Sequence, residues 1–469
     1  MSSSAALRQR VVHQVDKNDD AASITSSSDS DELTYGDFPP FTPPQFTVKD
    51  VLGAIPAHCF ERSALRSSTY VVADYSMLAV LFYAATHIDI LFGSNGMQLQ
   101  GAAGVVAKWA AWSVYWILAG WVMTGIWIID LFSTLLELFS RDAASWTAYQ
   151  TSHECGHQSF SPSKTINNTV GLVLHSFVLV PYHSWRISHA KHHAATGHMN
   201  RDEVFVPATK SEKVTKAAGT GRKVFVENLG AELDELLEDA PAYRLFHLLV
   251  QQLFGWPAYL FSNASGQNWY PKGTNHFDPN SLIFDARHRQ QVLISDAGLI
   301  AMLSALTWFG LKMGGFSAVV KYYGIPYLFV NHWLVMITYL QHTDPMLPHY
   351  RANEWNFQRG AICTIDRNML GPVGPYLMHG ICETHVAHHV CSKIPHYHAW
   401  EATEALKDFL GEHYQSTNEN MFVSLWKNFR TCRYVDDEGD VVFFRDALGR
   451  TSRKVVPADA PSDSGVEVN

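Results

Sequence analysis

Four apolar segments, separated by long polar regions, dominate the pattern of hydrophobicity along the chain. They cover residues 71–92, 110–129, 293–311 and 325–340. About 20 apolar residues are needed to cross the roughly 30 Å of hydrocarbon in a bilayer. The second segment has no charged residue, whereas a long helix in a soluble protein usually keeps a polar face. The pattern therefore predicts an all-α integral membrane protein with four transmembrane helices in two hairpins.

The polar regions contain two shorter apolar stretches, at 170–180 and 245–261. Both are too short or too interrupted to span a bilayer, so we expect helices that lie in its interface. The N-terminal residues are rich in Ser and Asp and carry too little apolar surface to offset the entropy of ordering. We predict disordered tails at 1–45 and 446–469 and one membrane domain at 46–445, with a helical cap on its cytosolic side.

The even number of predicted spans places every long polar region on the same side of the membrane. The region 130–292 carries fourteen Lys and Arg residues, whereas the loops within each hairpin carry few. Positive charge near span ends favours the cytosolic side. The N-terminus also lacks the basic-then-apolar pattern of a cleaved signal peptide. We therefore expect both termini and the long polar regions to face the cytosol.

Composition supports a membrane location and argues against nucleic-acid binding. Charged residues make up 17% of the chain, against about a quarter in an average soluble domain. The net charge is −9 and no dense run of Lys or Arg is present, so no nucleic-acid partner is expected. The six cysteines occur singly, which is typical of free thiols in a reducing compartment rather than of a disulfide framework.

Histidine is frequent in this sequence, and three clusters of it stand out among the 24 residues. One cluster has the pattern H-x-x-x-H and two have the pattern H-x-x-H-H. Residues three and four positions apart share a helix face, so each cluster directs its imidazoles at one point. Imidazole binds iron, copper and zinc and leaves room for an oxygen ligand. The eight predicted metal ligands are His153, His157, His189, His192, His193, His385, His388 and His389.

Three other interpretations fit part of this pattern. A solvated surface explains one H-x-x-H-H cluster, but three clusters on one predicted face of the membrane argue against it. Residues 153–157 also match H-E-x-x-H, the helix of zinc metalloproteases in which the glutamate activates water. A membrane metalloprotease has no use for six further clustered histidines. A metal transporter would carry its ionisable ligands within the spans, whereas these clusters lie outside them.

The three clusters, their order and the paired spans resemble the histidine boxes of membrane fatty acid desaturases. More narrowly, they are similar to the microsomal oleate and linoleate desaturases of fungi and plants. Further similar segments are IPAHCFERS at 55–63, SWRIS at 184–188, NHFDP at 275–279, YLQHTDP at 339–345 and PHYHAWEAT at 395–403. The resemblance covers about residues 45 to 445.

The resemblance implies two iron ions held by the eight box histidines, with O2 as the co-substrate. It also implies His342 as a ninth ligand, because this residue follows the last predicted span. The alternative for His342 is a polar residue of the membrane interface. Carboxylates orient imidazole ligands in many metal sites, and Glu154, Glu383 and Asp344 lie next to these histidines in the sequence.

The implied reaction introduces a cis double bond into an unsaturated C18 acyl chain. The expected products are linoleate from oleate, alpha-linolenate from linoleate, or both, because the segment 391–400 resembles the fungal omega-3 or bifunctional branch. A phospholipid or coenzyme A would carry the acyl chain. Electrons would come from cytochrome b5 and its NADH reductase, in the endoplasmic reticulum membrane. Fatty acid hydroxylases and acetylenases share the boxes and remain alternatives.

One segment departs from the pattern of this family. In similar proteins the second span runs almost directly into the first box, whereas residues 131–152 intervene here. This insert contains Arg141 and Asp142 and matches no family pattern. An insert of this length puts the position of His153 and His157 over the second span in question, and with it the activity of the chain.

Overall fold

The fold is mainly helical in the computed structural model, which describes residues 40–93, 101–128, 152–213, 237 and 240–456. The α-helices, numbered α1 to α15 within these residues, are Val48–Ala54, Ala64–Leu91, Ala102–Ile128, Ser152–His157, Lys164–Phe177, Tyr182–Ala195, Pro241–Ser262, Arg289–Met313, Phe316–Val319, Ile325–His342, Phe357–Ala361, Gly374–Leu377, His385–Val390, Ala399–Leu410 and Met421–Thr431. A π-helical turn, Val320–Gly324, joins α9 to α10. Short 3-10 turns occur at Ala57–Phe60, Ala286–His288, Gly371–Val373, His396–His398 and Gly411–His413.

Three helices in the described part of the chain are long and apolar enough to cross a membrane. They are α2, α3 and the continuous helix Ala286–Met313 that contains α8. The predicted span 293–311 lies entirely within the third of these helices. The span 110–129 lies in α3 as far as residue 128, the last one described there, and most of 71–92 lies in α2. Their large apolar side chains, such as Val80, Val114 and Leu303, are exposed on the outside of the protein. Such a surface would be costly in water, and it identifies the chain as a membrane protein.

The fourth predicted span, 325–340, lies in α10 and is not among these three helices. Polar residues such as Asn331 and Gln341 reduce the hydropathy of α10. Both side chains are buried, because α10 is the central helix and packs against α3 and α7. A helix surrounded by protein tolerates polar residues that a helix in contact with lipid does not.

The main hydrophobic core joins the helical bundle to the elements that carry the histidines. Ile126 and Trp127 of α3 pack in this core with Leu334 and Ile337 of α10 and with Trp185 of α6. The two shorter apolar stretches form α5 and α7. Helix α7 packs along α10 on one side and exposes Phe246, Leu249 and Phe254 on the other.

We call the remaining elements, which include the helices of the three histidine boxes, the cap. A second core, which includes Val51, Val386 and Leu406, holds α1, α13 and α14 together. Two short sheets complete the cap. Strand β1 (His349–Tyr350) pairs antiparallel with β4 (Val441–Val442), and β2 (Asp366–Arg367) pairs in parallel with β3 (Ser416–Thr417).

The described fold extends slightly beyond the predicted limits of the membrane domain. Phe41 forms a parallel bridge with Val455, and Asp446 pairs with Arg450. The insert lies outside the described residues, apart from Ser152, at which α4 begins. The predicted tails also lie mostly outside them.

Candidate metal centre

The first histidine box forms α4, a helix of six residues that follows the insert. His153 and His157 are four residues apart and therefore share one face. The ring of His153 lies 5.5 Å from the ring of Trp127, near the end of α3. A Cβ atom at Gly156 would come within 2.6 Å of the Trp185 ring, so only glycine lets α4 approach α6 this closely.

The second and third boxes lie on two further helices of the cap. His189, His192 and His193 are on the last turns of α6, and α13 begins with His385 and contains His388 and His389. All but His189 are buried, and His189 is largely so. The i, i+3, i+4 spacing puts the three imidazoles of each helix on its inward face, as the sequence predicts.

Four histidines from the three boxes form a first group. Their ligand nitrogens all lie within 4.8 Å of one another. The Nε2 atom of His153 is 2.9 Å from that of His189 and 3.3 Å from that of His157. His193 adjoins this group, with its Nε2 atom 3.2 Å from that of His189. The members of the group are His153, His157, His189 and His388.

A second group combines His192, His342 and His389, again with all ligand nitrogens within 4.8 Å of one another. The Nε2 atom of His342, at the end of α10, is 3.3 Å from that of His192 and 3.2 Å from that of His385. The ring of His193 stacks on that of His389 at 4.1 Å and so lies between the two groups. The structure thus brings together all nine predicted histidines, including the two that follow the insert.

The electrostatics of the two groups favour a bound cation. Burial lowers the pKa of His153, His189 and His193 well below its usual value, and the neighbouring imidazoles lower it further. A neutral imidazole is the form that binds metals. Nitrogen atoms with lone pairs repel each other at about 3 Å unless a proton or a metal ion lies between them. The Nε2 atoms of His388 and His389 are buried without a hydrogen-bond partner among the described residues.

Hydrogen bonds from the surrounding residues orient several of these rings. The carboxylate of Asp202 accepts from Nδ1 of His192 at 2.6 Å and also from the backbone N–H of Gly197 and Val204. Nδ1 of His385 donates to the carbonyl of Ile381 at 3.2 Å. These contacts fix which nitrogen of each ring faces the site. Sequence reasoning missed Asp202, and its only signal is a carboxylate ten residues after His192.

The three carboxylates that the sequence indicated for this role do not perform it. Glu154 accepts hydrogen bonds at 2.7 Å from the backbone and the ring of His396, which belongs to no box. Asp344 pairs with Arg367. Glu383 is buried, and its oxygens have no hydrogen-bond partner among the described residues. The side chain of Glu154 points to His396 and away from the box histidines. This argues against a protease, in which the glutamate must face the water on the metal.

The apolar helices and the two histidine groups together indicate a membrane protein that can hold metal ions through imidazole nitrogens. A sequence model of the fatty acid desaturase family matches residues 127–420, which is more than half of the chain. The chain belongs to this family of iron-dependent membrane enzymes that act on fatty acyl chains. A second model, of a domain of unknown function, matches residues 2–85.

Named relatives cover most of the chain. It is 49% identical over 403 residues to a delta(12) fatty acid desaturase of Mortierella isabellina, a match that includes 86% of this chain and 91% of the relative. The corresponding enzyme of Mortierella alpina is 48% identical over the same shares. An oleate hydroxylase of Claviceps purpurea is 40% identical, over 95% of this chain and 91% of the relative.

Proposed function

We propose that this chain is a delta-12 fatty acid desaturase that converts an oleoyl chain to a linoleoyl chain. The observation that carries the proposal is the pair of adjacent histidine groups, built from all three boxes and His342. The identity to fungal enzymes named delta(12) desaturases supports the position of the new double bond. The hydroxylase relative keeps a hydroxylated product as the second candidate.

Two iron ions fit this arrangement. His153, His157, His189 and His388 would hold one, and His192, His342 and His389 the other. His385 adjoins the second group, whereas His193 lies between the groups. Iron with O2 supplies an oxidant strong enough to remove hydrogen from an unactivated methylene group, which no side chain does.

The protein's own contribution is orientation and burial. Asp202 keeps Nδ1 of His192 protonated, so that Nε2 presents its lone pair to the site. The packing of α4, α6 and α13 limits the access of water, because seven of the nine imidazoles are buried and only His157 and His189 are partly exposed. The methylene groups of an acyl chain are chemically alike. The position at which hydrogen is removed must therefore be set by how far the acyl chain extends into the site.

The membrane arrangement that we propose has four spans, with α10 as the fourth. The cap and the histidine groups would face the cytosol, together with both termini, in the endoplasmic reticulum. The support is that the first box lies beside Trp127, near the end of α3, and that His342 ends α10, while large apolar side chains of α2, α3 and α8 are exposed. The membrane domain would then extend somewhat past the predicted limits 46–445, because Phe41 and Val455 pair with each other.

Electrons for the reaction would come from outside the chain. The sequence has no G-x-G-x-x-G dinucleotide fingerprint and no recognisable haem domain. Cytochrome b5 and its NADH reductase would supply them on the cytosolic face. The acyl substrate would arrive on a phospholipid or on coenzyme A.

Expression in a yeast that makes only monounsaturated fatty acids tests this function. Gas chromatography should detect linoleate in cells that express the chain, and none in cells that express His388→Ala, which loses an iron ligand. Alpha-linolenate after feeding of linoleate would add the omega-3 activity. A hydroxylated product would identify the chain as a hydroxylase. No modified acyl chain from an iron-loaded protein would contradict the proposal.

A further inference from the structure

A third group of metal-ligating side chains lies outside the histidine boxes. It combines His58 and Cys59, in the 3-10 turn Ala57–Phe60 just before α2, with His398 and Glu401, at the start of α14. The two pairs come from the segments IPAHCFERS and PHYHAWEAT, which are about 340 positions apart. Neither segment has a role in the centre described above, apart from the contact of His396 with Glu154.

The distances within this group suit one tetrahedral cation. All four ligand atoms lie within 4.8 Å of one another. Nε2 of His58 is 2.7 Å from a carboxylate oxygen of Glu401 and 3.9 Å from Sγ of Cys59. Bonds of about 2.0–2.3 Å to tetrahedral zinc put ligand atoms about 3.3–3.8 Å apart. The observed separations fall on both sides of that range, so small side-chain rotations would close the site.

The group also contains two potential ligands, Cys59 and His398, that an ion pair between His58 and Glu401 would not need. An exposed His–Glu pair contributes little to stability, and His58 and Glu401 are each about half exposed, at 51%. The thiol of Cys59, by contrast, is fully buried and lies at the same point. A second imidazole, His398, completes a set of one sulfur, two nitrogens and one carboxylate.

We propose that His58, Cys59, His398 and Glu401 form a structural zinc site. Zinc binds cysteine, histidine and carboxylate side chains in closed four-coordinate sites. The charges balance, because a thiolate and a carboxylate together neutralise Zn²⁺. Burial and the nearby Glu401 raise the pKa of the Cys59 thiol to about 11, so zinc would displace a proton from this thiol to solvent.

The site would fasten the start of the first long helix to the cap. The backbone N–H of Ser63, which caps α2, donates to the hydroxyl of Tyr397 at 2.8 Å, next to His398. The adjacent His396 contacts Glu154 of the first box. Zinc at this point would therefore restrain both the segment before α2 and the segment that follows the third box. This inference is independent of the proposed reaction.

Two readouts on purified, iron-loaded, full-length protein test the site. The first is zinc content by mass spectrometry, compared with the double variant H398A/E401Q. The matched control is H413A/E412Q, a His–Glu pair at 4.0 Å that belongs to no such group among the described residues. We expect about one zinc fewer per chain in H398A/E401Q alone, with iron content unchanged in both variants.

The second readout uses Co²⁺ as the probe, because a cobalt–thiolate bond gives an intense near-ultraviolet charge-transfer band. The two histidine-box groups offer nitrogen ligands only, so they would not produce this band. The band should appear in the wild type and in the control Cys391→Ser, and should be absent in Cys59→Ser. Equal zinc content in wild type and H398A/E401Q would overturn the proposal. So would a wild-type protein that binds cobalt without the thiolate band.

Discussion

At the scale of single residues, the orientation of His192 depends on one buried carboxylate. Asp202 accepts three hydrogen bonds, from the His192 ring and from two backbone N–H groups that fold the following loop. A charged acceptor bound this closely holds the imidazole in a single tautomer. Asp202 therefore links the shape of the loop after the second box to the direction of one metal ligand.

Replacing Asp202 by Asn tests this link. Asn keeps the shape but presents an amide group to three donors, so His192 loses a fixed tautomer. We expect a loss of about 10- to 100-fold in desaturation or iron affinity, the usual range for such partners. Linoleate formed per unit of membrane-bound protein measures it. Asp285→Asn, which changes an exposed carboxylate paired with Arg287, is the control. Equal activity in the two variants would show that Asp202 does not position the ligand.

The spacing along the sequence indicated the eight box histidines, and the family resemblance added His342, but neither indicated their polar partners. The i, i+3, i+4 spacing is local, so helix geometry alone gives the direction of the imidazoles. Asp202 reaches His192 only because the chain turns back at Gly197, where φ is +68°. Glu154 is adjacent to His153 but lies on another face of α4, which explains why the prediction for it was wrong. Proximity in sequence says little about contacts that depend on folding.

At the scale of elements, the short helix α4 owes its position to its neighbours. Residue Gly156 lets it contact α6, and the hydroxyl of Tyr182 donates to the carbonyl of Cys155 at 2.9 Å. These contacts place the first box beside the other two, irrespective of the insert before it. Within the described residues, His153 and His157 thus lie beside the second box. The effect of the insert on activity stays a prediction.

The side of the membrane on which these elements lie is open to a direct test. The natural glycosylation sequons at Asn167 and Asn263 are uninformative, because both asparagines are buried. The substitution Leu282→Thr creates a new sequon at Asn280, in an exposed loop between α7 and α8. This loop touches the second box, since Lys191 donates to the carbonyl of Ile283. We expect no sugar there, while a lumenal glycoprotein of the same cells is modified. Glycosylation at Asn280 would place the boxes in the lumen.

At the scale of the whole molecule, the apolar pattern predicted all four long helices, but it did not show that the helix over 325–340 is the central one and is buried by protein. Hydropathy identifies α2, α3 and α8 because lipid requires an apolar surface along their whole length. Helix α10 packs against α3 and α7, so its side chains contact protein rather than lipid. Its sequence therefore includes polar residues such as Asn331 and Gln341. The cap depends on contacts between segments that are hundreds of residues apart, such as Phe41 with Val455, which no local pattern contains.

The iron content of the purified full-length protein tests the central claim most directly. It should be measured in H398A/E401Q, so that zinc at the proposed structural site is not counted. Two irons per chain are expected. The double variant H388A/H389A removes one ligand from each group, so it should lose most of the iron from both groups while the protein remains in the membrane. One zinc and no iron, retained through His153 and His157 alone, would contradict the account and favour a metalloprotease.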